Sequence, residues 1–288
     1  MKRILSGLLA FCLSHLLTNA ASAAIVVQDM FDGYTSGSAL DSNGSASGGW
    51  GTAWLDLSGL PNSYVINSTP LTYLNYAGNG ANDATARGVT ATAGSSGFGG
   101  ASARVVGGTP FPGEVGGLTT TYTSYLVNFN SLASLNLMSF GLWANGLGSS
   151  IMFGSNGSNW VLNNSTVNTL DPLAPVPVTT GVTHLVVIRS DYVPNVSNTH
   201  SVFLNPVLLS PEPLVPFMSL TQGGISHPTL GHYSEGNGGT VALYDGVVFA
   251  TAWSDLSIIP EPGTYALFGC AVVGFGMFGY RRRKILAV

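Results

Sequence analysis

The chain has 288 residues, of which only 8% are charged, and its formal net charge at pH 7 is −4. Between residues 25 and 259, three arginines stand against twelve acidic residues, so this central part carries a net charge of −9. A nucleic-acid-binding protein needs a basic surface that neutralises phosphates. The composition therefore excludes nucleic acid as a partner.

The N-terminus has the three parts of a secretory signal peptide. Two basic residues precede an apolar run over residues 4–17, and Ala21-Ser22-Ala23 provides a small-residue cleavage site. The run is too short to span a bilayer, and a buried helix is the alternative interpretation. We predict that residues 1–23 are a signal peptide, cleaved between Ala23 and Ala24 after passage through the secretion translocon.

The body of the protein, residues 24–257, is predicted to be all-β. It contains no cysteine, because Cys12 and Cys270 lie in the apolar terminal segments, so it must fold without a disulfide bond. Short β-branched and aromatic runs alternate with clusters of Gly, Asn, Ser and Pro, a pattern typical of strands and turns. Many short strands without interleaved helices predict a two-sheet antiparallel jelly-roll sandwich.

Seven strands are clear from the sequence. Leu185–Ile188 is apolar at every position, which predicts a central strand that is buried on both faces. In Thr123–Phe129, apolar and polar residues alternate as expected for a half-buried strand. The predicted strands are Ile25–Phe31, Ala101–Val106, Thr119–Phe129, Leu137–Trp143, Gly181–Arg189, Ser201–Leu204 and Thr240–Ala250.

Three segments of the body resemble concanavalin A-like (laminin-G-like) domains of exported bacterial proteins. They are Phe31–Tyr34 with the Trp50–Trp54 region, Thr183–Arg189 followed by Ser201–Pro206, and Tyr244–Phe249 before Trp253. The resemblance implies a concanavalin A-like sandwich in which the first and last strands pair. It also implies that Trp54 and Trp253 belong to the core.

Calcium is the one cofactor that this resemblance suggests. Domains of this type often hold the ion at an edge of the sandwich, where carboxylates and carbonyl oxygens supply the ligands that hard cations prefer. Asp29, Asp32 and Asp245 lie in or beside the first and last strands, so they are the candidate ligands. The alternative is that these aspartates cap turns through hydrogen bonds to the backbone.

Glycan binding would need exposed aromatic rings beside hydrogen-bonding side chains. Trp160 follows the polar segment Ser155–Asn159, so Trp160 and Asn159 are the candidate glycan contacts. Packing in the core is the alternative role for a tryptophan in a sandwich.

The sequence offers no recognisable catalytic motif. A glycosidase needs two carboxylates about 5–9 Å apart, yet the acidic residues of the body are scattered singly apart from Asp29 and Asp32. The Glu-x-Asp-x-x-Glu strand of one large enzyme family of this fold is absent. Pro211-Glu212-Pro213 is interpreted as a proline-rich loop, and His227 and His232 as loop histidines. We therefore predict no catalytic residues and a protein that is not an enzyme.

The C-terminus, residues 258–288, resembles the PEP-CTERM sorting signal of Gram-negative bacteria. Pro260-Glu261-Pro262 precedes an apolar stretch over residues 263–280, which is followed by Arg281, Arg282 and Arg283. Eighteen residues in a helix would reach about 27 Å, enough to span a bilayer, with the basic end in the cytoplasm. The resemblance implies cleavage by an exosortase-type enzyme after transient anchoring in the inner membrane. A permanent anchor is the alternative.

Together these features predict an exported protein of the cell surface or extracellular matrix, non-enzymatic and associated with exopolysaccharide. Two alternatives stay open. A glycan-active enzyme (glycosidase or lyase) of the same fold would need two carboxylates within about 10 Å in a groove. A protein-binding adhesin would show an exposed apolar patch.

Overall fold

The structure of the protein is a computed structural model. It describes residues 25–31, 34–40, 50–56, 64–79, 89–92, 100–107, 114, 116–133, 137–143, 150–164, 167–170, 175–224, 229–235 and 240–257. The predicted signal peptide with Ala23 and Ala24 lies outside these residues. So do Asp32 and the C-terminal motif with Pro260, Glu261, Pro262, Arg281, Arg282 and Arg283.

The described residues form fifteen strands and one short helical turn. No helix among them has both the length and the apolar character needed to cross a membrane. The helical turn is a 3-10 helix at Trp253–Leu256. The strands are β1 (Ile25–Asp29), β2 (Leu55–Asp56), β3 (Tyr64–Ile66), β4 (Val89–Thr92), β5 (Gly100–Val105), β6 (Thr120–Ser131), β7 (Leu137–Trp143), β8 (Ser150–Ser155), β9 (Trp160–Asn164), β10 (Val167–Leu170), β11 (Thr183–Val193), β12 (Ser197–Leu204), β13 (Met218–Gly223), β14 (Thr229–Glu235) and β15 (Val241–Ala250).

These strands make two antiparallel sheets, which confirms the predicted all-β class. Sheet I has the order β13-β12-β11-β6-β15-β4-β3, and β1 also pairs with β15. Sheet II has the order β10-β9-β8-β7-β14-β5-β2. The predicted pairing of the first and last strands is confirmed, since Asp29 of β1 lies opposite Val247 of β15.

The main core lies between the two sheets. Inward side chains of sheet I, such as Tyr125 and Val186, belong to the same buried cluster as Phe140 and Phe153 of sheet II. The Tyr125 hydroxyl crosses the gap and donates to the carbonyl of Phe153 at 2.8 Å. Because a strand turns alternate side chains to opposite faces, the residues between these inward positions point to the outer faces of the sheets.

Sheet I is apolar on its outer face as well. Leu185 and Val187 of β11 belong to a second buried cluster, while Val186 and Ile188 belong to the main core. The second cluster, which we call the outer cluster, consists of outward side chains of sheet I covered by residues of two loops and the 3-10 helix: Leu71, Tyr76, Tyr122, Leu126, Leu185, Val187, Phe203, Leu208, Leu243, Val248, Ala250, Trp253 and Leu256. The prediction that Leu185–Ile188 forms a central, doubly buried strand is confirmed.

A bulge in β15 joins this strand to the covering loop. The register to β6 shifts between Asp245 and Val248, and Gly246 has φ +59. A Cβ atom at Gly246 would lie 2.2 Å from the carbonyl oxygen of Gly78, so only glycine fits at this contact. The loop and the strand are held together by the Tyr76 hydroxyl, which donates to the carbonyl of Gly246.

All seven predicted strands are present, with boundaries that differ by up to four residues. Among the strands not predicted, β8 contains Gly154 and β14 contains His232. The interpretation of His232 as a loop residue is therefore wrong, because this residue pairs with Phe140 of β7. The strand β14 pairs with β5 on one side and β7 on the other. This pairing outweighs the weak strand propensity of residues such as Gly231 and Ser234.

Candidate functional site

The predicted glycan contact Trp160 is a core residue, so this prediction is wrong. Its side chain is 1% exposed and stacks on Phe153 with ring centroids 5.2 Å apart. Phe129 and His184 contact it edge-on. Burial lowers the pKa of His184, which favours the neutral ring in this apolar contact. An indole enclosed in this way cannot stack on a sugar.

Asn159 lies in the turn between β8 and β9. Its backbone N–H donates to the side-chain oxygen of Asn156 at 2.9 Å, and its carbonyl accepts a hydrogen bond from the backbone N–H of Asn156. These contacts explain the polar segment as a turn that joins two strands. With Trp160 buried, Asn159 has no exposed tryptophan beside it in this turn.

Asp29, the first predicted calcium ligand, lies in a buried ion pair. Its carboxylate oxygen Oδ2 is 2.5 Å from Nη1 of Arg104, and the two side chains are 5% and 4% exposed. Tyr34 and Trp54 also donate to Oδ2, and the backbone N–H of Phe31 donates to Oδ1. The Arg104 guanidinium in turn lies 4.3 Å from the ring centroid of Trp50. Four groups therefore donate hydrogen bonds to one carboxylate.

Asp245 is placed on the opposite face of sheet I. Its carboxylate accepts hydrogen bonds from the backbone N–H groups of Leu71 and Gly246, and Leu71 belongs to the outer cluster. Asp29, by contrast, contacts Trp54 of the main core. The structure thus does not bring these two predicted calcium ligands together. No group of three or more potential metal-ligating side chains occurs among the described residues.

A different set of polar side chains meets on the outer face of sheet I, beside the outer cluster. Arg189 and Asp191 of β11 point to the same face because they are two residues apart. Arg189 holds Asp191 through Nε and Nη2, with contacts of 2.9 and 3.0 Å. Its third nitrogen, Nη1, donates to Glu212 at 3.0 Å. We call Asp191, Arg189 and Glu212 the carboxylate cluster.

The two carboxylates of the carboxylate cluster contact the same guanidinium group. Their nearest oxygens are therefore no more than about 8 Å apart, an upper limit that is compatible with the carboxylate pairs of glycosidases. The side chains of Arg189 and Asp191 are 37% and 35% exposed, and that of Glu212 is 20% exposed. A ligand can therefore reach both carboxylates from solvent.

Tyr122 and Thr120 of the neighbouring strand β6 complete the site. The Tyr122 hydroxyl donates to Glu212 at 2.8 Å, and the Thr120 hydroxyl donates to Asp191 at 2.9 Å. Burial and the hydrogen bond to Glu212 raise the pKa of Tyr122, so this group is a hydrogen-bond donor rather than a base. Burial alone would lower the pKa of Arg189, but the hydrogen bonds to Glu212 and Asp191 outweigh it and the pKa is raised.

Sequence reasoning missed this site because it looked for two acidic residues on one strand. The tertiary structure instead combines Asp191 of a strand with Glu212 of the Pro211-Glu212-Pro213 loop, which the sequence indicated only as a proline-rich connection. One signal was partly available: Arg189 ends the predicted strand Gly181–Arg189 and Asp191 lies two residues beyond it. Because β11 extends to Val193 in the structure, these two opposite charges share one face of the strand.

Comparison with known proteins supports the fold. No family model matches the chain, and a search of curated proteins finds no match. Among solved structures, the catalytic domain of the glycoside hydrolase family 131 protein from Coprinopsis cinerea is similar, with a TM-score of 0.50 at 12% identity, over 83% of this chain and 99% of that one. The cellulose-induced protein Cip1 has a TM-score of 0.45 at 12% identity (66% and 85% of the chains). The alginate lyase Aly36B has a TM-score of 0.45 at 11% identity (80% and 98%).

The prediction that the protein is not an enzyme is contradicted by this comparison. The sandwich is also the fold of a glycoside hydrolase catalytic domain. The prediction rested on acidic residues scattered singly in the sequence, whereas the structure brings Asp191 and Glu212 to one guanidinium group.

Proposed function

We propose that this chain is a glycan-active protein with a concanavalin A-like sandwich, and that Asp191 and Glu212 are the two carboxylates of a glycoside hydrolase. The observation that carries the proposal is their common contact with Arg189 on an accessible face of sheet I. The similarity to the family 131 catalytic domain supports the sandwich as a suitable scaffold.

The two carboxylates act as a pair in this proposal, one as the general acid and the other as the nucleophile or base. Asp191 accepts hydrogen bonds from two N–H groups of Arg189 and from the Thr120 hydroxyl. Glu212 accepts hydrogen bonds from one N–H group of Arg189 and from the Tyr122 hydroxyl. Arg189 thus positions both members of the pair.

Glu212→Gln and Asp191→Asn test this proposal. We expect the unmodified protein to release new reducing ends from a polysaccharide, and each variant to lower the rate at least about 100-fold, because each removes an acid–base group. Glu114→Gln, which changes a carboxylate outside the cluster, is the control and should keep the full rate. Thermal unfolding of each variant checks that the fold is retained.

Two results would overturn the proposal. One is full activity in Glu212→Gln. The other is no cleavage of any neutral or acidic polysaccharide by the unmodified protein. The second result would favour the protein-binding adhesin, because the loop after β12 exposes four aliphatic side chains: Val207 (68%), Leu209 (57%), Leu214 (99%) and Val215 (81%).

We further propose that the protein works outside the cell. The N-terminal signal peptide would direct it through the secretion translocon, and an exosortase-type enzyme would cut near Pro260-Glu261-Pro262, as the resemblance of the tail implies. Intact mass and cell fractionation test this. Loss of the residues after this motif, with the body at the surface or in the medium, is the expected result. An uncut chain in the inner membrane would contradict it.

A further inference from the structure

Two rows of polar side chains cross the outer face of sheet I, from the carboxylate cluster to the edge strand β13. The register of β6, β11, β12 and β13 aligns Thr120, Asp191, Thr199 and Thr221 in one row. The second row contains Tyr122, Arg189, Ser201 and Ser219. Because neighbouring strands lie about 4.8 Å apart, each row extends about 14 Å across four strands.

The outer half of these rows consists of hydroxyl groups open to solvent. Ser219 and Thr221 on β13 are exposed, and Thr199 and Ser201 on β12 are partly exposed. The hydroxyls of Thr199 and Thr221 lie 3.3 Å apart. A hydroxyl both donates and accepts hydrogen bonds, so these four residues, which we call the hydroxyl ladder, match the hydroxyl groups of a sugar without requiring a charge.

The charges beside the ladder disfavour an acidic ligand. Arg189 already contacts two carboxylates, so its positive charge is not available to an acidic ligand. Arg104 is 3% exposed and paired with Asp29, and the body contains no lysine. A uronate or sulfate group at this face would meet the two carboxylates, and no other exposed arginine or lysine occurs among the described residues.

From these observations we infer that the glycan of this site is uncharged and lies across the hydroxyl ladder, with the bond to be cut above Asp191 and Glu212. The inference rests on the proposed glycan-active function and names its substrate class. It also assigns Thr199, Ser201, Ser219 and Thr221 as binding residues that contact the sugar beyond the cleavage point.

The double variant Thr199→Val and Thr221→Val tests the ladder, because valine keeps the shape and strand propensity of threonine while removing both hydroxyls. With a neutral gluco-oligosaccharide as the probe, we expect KM to rise about 10-fold, as for the loss of one or two hydrogen bonds. The kcat should change little. Thr179→Val, at an exposed position outside the ladder, is the matched control and should leave KM unchanged.

A uronate oligosaccharide of the same length tests the charge argument. We expect the neutral probe to be cleaved, with a KM that does not change between low and high salt, and the uronate probe to be left intact. Two results would overturn this inference alone: preference for the uronate probe, or an unchanged KM in the double variant. In both cases the loss of cleavage in Glu212→Gln would still support the proposed function. If no probe is cleaved by the unmodified protein, the proposed function itself has failed.

Discussion

Replacing Arg104 with Met is expected to lower the free energy of unfolding by about 3–5 kcal/mol, because it leaves a buried carboxylate without its counter-charge. Asp29 and Arg104 are 6% and 3% exposed, so water cannot replace the lost partner. The variant also removes the contact of Arg104 with the carbonyl of Thr52 at 2.9 Å and with the ring of Trp50. Urea denaturation measures the difference.

Two controls separate the buried charge from ordinary loss of contacts. Arg189→Met makes the same substitution where the arginine side chain is 37% exposed and its partners Asp191 and Glu212 are 35% and 20% exposed, so it should cost much less, about 1 kcal/mol. Adding Asp29→Asn to Arg104→Met removes the buried charge. The double variant should therefore lose about 1–3 kcal/mol less free energy of unfolding than the two single variants lose in sum. Equal effects of Arg104→Met and Arg189→Met would contradict this account.

Replacing Trp160 with Ala is expected to cost about 3–5 kcal/mol of folding free energy, because it opens a large cavity between the sheets. The indole is enclosed by Phe153, Phe129 and His184, and none of these rings can fill the space without moving. Calorimetric unfolding of the variant would show the loss as a lower Tm.

Trp160→Phe and Leu214→Ala provide the comparison. Phenylalanine keeps an aromatic ring against Phe153, so Trp160→Phe should retain a large part of the stability. It should bind and cleave glycan like the unmodified protein. Leu214 is 99% exposed, and its replacement by Ala should change stability by less than about 0.5 kcal/mol. A stable Trp160→Phe variant that loses glycan binding would contradict the place of Trp160 in the core and identify it as a binding residue.

The sequence was most informative where large apolar residues formed a continuous run. Leu185–Ile188 has large apolar residues at every position, and it lies between β6 and β12 with one cluster on each face. The segment of β8 contains Gly154 and two serines, and its strand identity depends on pairing with β7 and β9. Such pairing connects residues that are separated in sequence, and local propensity does not report it.

The roles of individual side chains were harder to predict than the strands. Trp160 follows a polar turn and was expected at the surface, but it is the first residue of β9 and points between the sheets. Asp29 and Asp245 do lie on paired strands as expected. The face to which each carboxylate points depends on its position in the strand and, for Asp245, on the bulge before Val248.

By itself, the sequence determined the all-β class and the seven strongest strands, because these follow from residue patterns that act over a few neighbours. The pairing of the first and last strands was implied only by the family resemblance. Only the tertiary structure decided the candidate site. Arg189 and Asp191 are two residues apart, but Glu212 reaches them from a loop more than twenty residues away in sequence, after the chain has passed through β12. Side chains brought together by such a connection leave no local pattern in the sequence, so their chemistry becomes visible only once the strands are paired.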